Sequence, residues 1–211
     1  MIDVLFIAIL ATTTLIVSRK GAFHAATWLM TTVFSGLLAM NFFEPVAELL
    51  EDFFEHESFP ASLVDIVSLV GLFVLFVCVA RFFINKLAPA EVELEGLLDA
   101  AGRWLLGFAT GYVLMAFVAV ALQTGPFPRD FWGHFPPEPE NRTGPFGAIA
   151  PDHQWLGFTQ AVSAGVFRQR DAGRIFDAAN YRVGNQDNVW SSFPIRYATR
   201  REERERRRAS N

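Results

Sequence analysis

Two apolar runs, residues 2–18 and 22–43, follow one another with only Arg19-Lys20-Gly21 between them. Each approaches the ~20 residues that an α-helix needs to cross ~30 Å of hydrocarbon. Lipid offers no hydrogen-bond partners to the backbone, so such a run must close its N–H and C=O groups internally, as a helix. A basic pair and a glycine between two helices make a tight polar turn at one face of the bilayer. Every later segment has to be placed relative to this hairpin. The first run lacks the marks of a cleaved leader: no basic residues precede it, the basic pair follows it, and it contains no small-x-small site. It is expected to remain as a span.

Two further runs complete a set of four. Residues 62–84 form the third, with Asp65 read into its first turn, where the helix dipole favours a carboxylate, and Arg81 into its last. Residues 104–123 form the fourth, opened by Trp104, a residue type common at membrane interfaces. Gly107 and Gly111 stand four apart on it, a step that lets a second helix approach closely. Thr27, Thr31, Thr32, Ser35 and Gly36 make a comparable small, weakly polar face on the second span; packing is the plainer reading of it, a pore lining the sharper one.

Between spans two and three, residues 44–60 hold six acidic residues. Val46, Leu49, Leu50, Phe53 and Phe54 recur there at helical spacing. The segment is too short and too charged to span, and is expected to be an amphipathic helix at the interface. A second connector runs from Lys86 through Asp99, with a stripe of Val92, Leu94, Leu97 and Leu98, and closes on Arg103.

Composition helps only when it is split. Residues 1–123 carry 5 Lys/Arg against 12 Asp/Glu, whereas the remainder carries 13 against 10. Arg19 and Lys20 lie in the first connection, while Arg81, Lys86 and Arg103 flank the third; residues 44–61 have no Lys or Arg. By the preference of basic loops for the cytoplasm, the first and third connections face inward. Both termini and residues 124–211 are then extracytoplasmic. The lone cysteine, Cys78, lies in an apolar run and cannot form an internal disulfide.

The exported part, 124–198, begins with a breaker-rich stretch holding seven of the chain's 11 prolines, with Phe131, Trp132 and Phe135 among them. Asp152 is a candidate N-cap for a helix over 152–177, with Trp155, Phe158, Val162, Val166 and Phe167 inward. Residues 178–198 read as loop. Residues 199–211 form an Arg-rich tail whose core, 200–208, interleaves six arginines with three glutamates, so a solvated or locally paired helix is favoured over a binder of anionic surfaces.

Chemistry is sparse. No P-loop, GxGxxG, GxSxG or HExxH occurs, and His134 and His153 lack metal-ligand spacing. Ionisable groups in spans are expensive and often functional. Asp3 and Asp65 both fall at the outer ends of their helices in this topology. They are a candidate cation-binding pair, or ordinary interfacial carboxylates. His24 reads as a satisfied interfacial histidine.

Asp3 at the mouth of the first span, the Lys20-Gly21 turn, and Leu98-Asp99 followed by Gly107 and Gly111 in the fourth span resemble the colicin V production protein family. The resemblance covers residues 1–123. The chain departs from it at Gly102-Arg103, where the family more often places glycine in the second position. It implies a four-helix bacterial inner-membrane protein associated with colicin V production or export and with envelope stress tolerance. Some relatives carry an extracytoplasmic protease after the fourth span; no such domain is recognisable here.

The expectation is an all-α membrane protein of four spans, with an interfacial amphipathic helix and a small extracytoplasmic helix-and-loop region. Asp3, Lys20, Gly21, Asp65, Asp99, Gly107 and Gly111 are its candidate functional or packing residues. A non-enzymatic scaffold or accessory component for export or envelope maintenance is the leading reading, and a small homo-oligomeric channel or transporter subunit the alternative. The expected partners are the bilayer, envelope or export proteins and further copies of the chain, with no nucleic acid and no cofactor.

Overall fold

The computed structural model describes residues 2–54, 61–87, 96–125, 127, 136, 147, 149–164, 180–182, 189–191, 193–194, 197, 199 and 206. Helix α1, Ile2–Val17, contains neither glycine nor proline and holds Asp3 in its first turn. It tightens into a 3-10 turn at Ser18–Lys20. Gly21 then adopts φ +92°, a left-handed value that a side chain would disfavour. The chain reverses there into α2, Ala22–Phe54.

Helix α2 is longer than its apolar run. The segment expected as a separate interfacial helix begins as a direct continuation of the second span, through Pro45 and on to Phe54. Proline has no N–H to give to the carbonyl four residues back, so it weakens one turn. It does not end this helix. Side chains differ from expectation too: Ala47 is buried, whereas Leu49, read as part of the inward stripe, is 68% exposed. Residues 55–60 lie outside the described set.

Helix α3, Ala61–Leu87, and α4, Gly96–Thr124, complete the long helices. α3 starts one residue before the apolar run and continues three beyond it. Asp65 is therefore one turn in rather than in the first turn, and Arg81 stands six residues from the end. α4 begins at Gly96, so Leu97, Leu98 and Arg103, read as connector, belong to the helix; both leucines point outward. Val92 and Leu94 of the same connector stripe lie outside the described residues. Among the described residues, four helices are thus long and apolar enough to cross a membrane: Ile2–Lys20, Ala22–Leu50, Leu63–Leu87 and Gly96–Thr124.

Helix α5 runs Pro151–Ala164. Its first residue is a proline, whose missing N–H and fixed φ suit that position. The residue before it, Ala150, has φ +46°, and Asp152 lies within the first turn instead of capping it. The rest of the helix expected to reach 177 lies outside the described residues, as do Val166 and Phe167. Asn180–Arg182 (β1) and Val189–Ser191 (β2) pair antiparallel, with Tyr181 opposite Trp190, where a loop was expected. Three-residue strands are too short for alternation to register in a sequence.

The chain divides into two compact units, Met1–Phe43 with Leu69–Val118, and Glu44–Ser68 with Ala119–Asn211. The first has a core of Phe6, Leu37, Met40, Phe43, Met115 and Phe117, with Phe73 stacked on Phe117 at 4.3 Å. The second buries Val64, Val120, Trp155, Leu156, Phe193 and Tyr197. In it β2 lies against α5.

Candidate functional site

Five of the seven residues singled out in the sequence lie in the first unit around the turn between α1 and α2 and along the face of α4. Helix α2 opens on Gly21, which has no side chain to satisfy the orphan N–H groups of a helix start. The Ala22 N–H instead donates to Asp99 Oδ1 of α4 at 2.8 Å, and Ala25 N–H donates to the Gly21 carbonyl at 3.1 Å. A β-carbon at Gly21 would stand 3.2 Å from that same carboxylate oxygen. Lys20 is exposed beside this cap.

One glycine after another then carries α4 along the hairpin. At 102, a β-carbon would come within 2.9 Å of the Ala22 Cβ; at 107, within 3.1 Å of the Thr14 carbonyl oxygen; at 111, within 2.8 Å of the Leu10 carbonyl oxygen. Gly107 and Gly111 thus seat α4 directly on the backbone of α1. Thr14 lies in this contact and returns its hydroxyl to the Leu10 carbonyl at 2.6 Å, so it brings no unmet donor to it.

The two remaining candidates belong to different units. Asp3 is half-buried in the first turn of α1, in the first unit. Asp65 belongs to the second unit and is only 2% exposed.

Several placements had no readable sequence signal. Arg81 of α3 donates from Nη1 to Thr27 Oγ1 at 3.3 Å and lies 4.3 Å over the Trp28 ring. Trp28 Nε1–H donates to His24 Nε2 at 2.8 Å, so that nitrogen acts as the acceptor. In the second unit, Gln123 Nε2 donates to Asp152 Oδ2 at 2.7 Å, with both residues buried and His153 Nε2 3.9 Å from the same oxygen. There the inward face of α5 is Asp152, Trp155, Leu156, Thr159 and Ser163, while Phe158, expected inward, is 44% exposed. Tyr197 OH donates to Glu44 Oε1 at 3.3 Å.

The threonine hydroxyls of the small polar face on α2 are turned into their own helix. Thr27, Thr31 and Thr32 donate to the carbonyls of His24, Thr27 and Trp28. Ser35 Oγ is buried and has no hydrogen-bond partner among the described residues. Among the described residues no group of three or more His, Cys, Asp or Glu side chains is placed to hold a metal ion.

Four apolar helices with a glycine-seated hairpin define a multi-pass membrane protein. The family model for colicin V production proteins matches residues 2–135, and the chain belongs to that family. The match runs on into the proline-rich stretch after the fourth span. No curated protein and no solved structure matches the chain.

Proposed function

We propose that this protein is a non-enzymatic scaffold or accessory component of a bacterial inner membrane, acting in export or envelope maintenance. One observation carries the reading: four of the residues through which the chain resembles its family hold helices of the bundle together. Gly21, Asp99, Gly107 and Gly111 all join helices, by a backbone cap or a close backbone approach. A family pattern spent on holding helices together suits a protein whose product is a shaped membrane surface. The orientation we propose places the Arg19-Lys20 turn and the third connection in the cytoplasm and both termini outside, where 124–211 would meet envelope or export partners. Further copies of the chain are candidate partners as well.

A small homo-oligomeric channel or transporter subunit is the second reading, favoured by Ser35, whose buried hydroxyl, on the face shared with Thr31, has no partner among the described residues. Complementation of a deletion strain under detergent stress separates the two. The scaffold reading expects Asp3→Asn with Asp65→Asn to support growth and Gly111→Leu to abolish it. Loss of growth with the paired Asn variant, at normal membrane abundance, would sink the scaffold reading and favour ion handling.

A further inference from the structure

We infer that Arg81 and Trp28 form a binding site for the phosphodiester of an anionic membrane phospholipid, at the end of the first unit where α2 begins. A guanidinium carries five N–H donors. The described contacts of Arg81 are the single hydrogen bond to Thr27 Oγ1 and the face of the Trp28 ring. No described carboxylate reaches it. The charge is therefore held in place from one side by two neutral groups, and its remaining donors have no partner among the described residues.

Depth decides what can supply one. Arg81 stands six residues before the end of α3, about 9 Å along the axis at 1.5 Å per residue. Thr27 and Trp28 lie five and six residues into the antiparallel α2, at about the same depth. The 25-residue span that holds Arg81 is ~37 Å long against a hydrocarbon core of ~30 Å. The side chain thus starts a few ångströms inside the core edge. A long cationic stem from that depth reaches the phosphate level, and a planar fork matches two phosphate oxygens at once.

The surroundings fit the rest of a lipid. One and two turns back from Arg81 on α3 lie Cys78 and Val74; three and seven residues on from Thr27 on α2 lie Met30 and Phe34. All four are exposed. They extend from the guanidinium toward the bilayer interior, as an acyl chain would. A headgroup lacking an amine is the better occupant: a zwitterionic one carries its own ammonium, which competes for the phosphate and adds a like charge beside Arg81. Lys86, over the Phe82 ring at 5.8 Å, is on another side of α3 and is not needed.

Cys78, the sole cysteine, makes the wild-type chain its own reporter. The 211-residue chain, labelled there with bimane, is reconstituted in phosphatidylcholine vesicles with equal mole fractions of brominated phosphatidylglycerol or brominated phosphatidylcholine. Several-fold stronger quenching by the brominated phosphatidylglycerol is expected, lost in Arg81→Gln, reduced in Arg81→Lys and kept in Lys86→Gln. Equal quenching in the wild-type chain overturns the site without recourse to a variant. Full excess quenching in Arg81→Gln would assign the enrichment to overall basicity, and its abolition by millimolar inorganic phosphate would assign the site to a free anion; either overturns the proposal.

Discussion

The Asp99 carboxylate of α4 accepts the Ala22 N–H at the start of α2, from 77 positions away in the chain. It does for α2 what an N-cap side chain would do locally, at a position where glycine supplies none. Asp99→Ala should destabilise the protein by about 1 kcal/mol, the usual loss for a deleted cap. Asp99→Asn, which keeps an acceptor oxygen, should recover most of it. Thermal unfolding in detergent, followed by circular dichroism, measures both.

Two glycines in long helices should respond in opposite senses. Gly111→Ala places a methyl group 2.8 Å from the Leu10 carbonyl oxygen and forces α1 and α4 apart, a loss of about 1–3 kcal/mol. Gly71→Ala meets nothing within 4 Å on α3 and should gain about 0.5–1 kcal/mol from helix propensity. If the two variants unfold at the same temperature, the close seating of α4 on α1 is wrong.

Gln123→Ala removes the amide that meets the fully buried Asp152 at 2.7 Å. Depriving a buried carboxylate of a hydrogen bond should destabilise the second unit by about 1–3 kcal/mol. The expected readout is faster cleavage of residues 150–164 by a protease added to the folded protein. An unchanged cleavage rate would mean that the contact contributes little to docking α5.

Orientation is open to a direct test on a Cys78→Ser background. A cysteine replacing Ser210 should react with a membrane-impermeant thiol reagent in intact cells, and one replacing Ala90 should not. The reverse pattern would turn the whole bundle over and place residues 124–211 in the cytoplasm.

The four spans were legible because length and apolarity decide them directly, and the family was legible through Asp3, Lys20-Gly21, Leu98-Asp99, Gly107 and Gly111. Contacts between helices were legible by half. Gly107 and Gly111 announced a close approach through their spacing, but α1 as the partner could not be read, because one helix's sequence holds no record of which neighbour meets it. The acidic residues that follow Phe43 suggested a boundary that the helix ignores. The error on α5 has another cause. An inward face was assumed to be the most apolar one, yet Asp152, Thr159 and Ser163 are buried there and Phe158 is not. Arg81 was assigned to a helix end because its apolar run stops at Ile84, three residues before α3 does.

The reach of Asp99 across the chain also sets an order of events during synthesis. When the hairpin of α1 and α2 first enters the bilayer, the carboxylate that will cap α2 has not yet been made. Nor have Gly102, Gly107 and Gly111, on which the hairpin rests. The hairpin is therefore provisional on insertion and becomes fixed only when α4 arrives, so a ribosome stalled before α4 would leave in the membrane a hairpin without its cap or its seat.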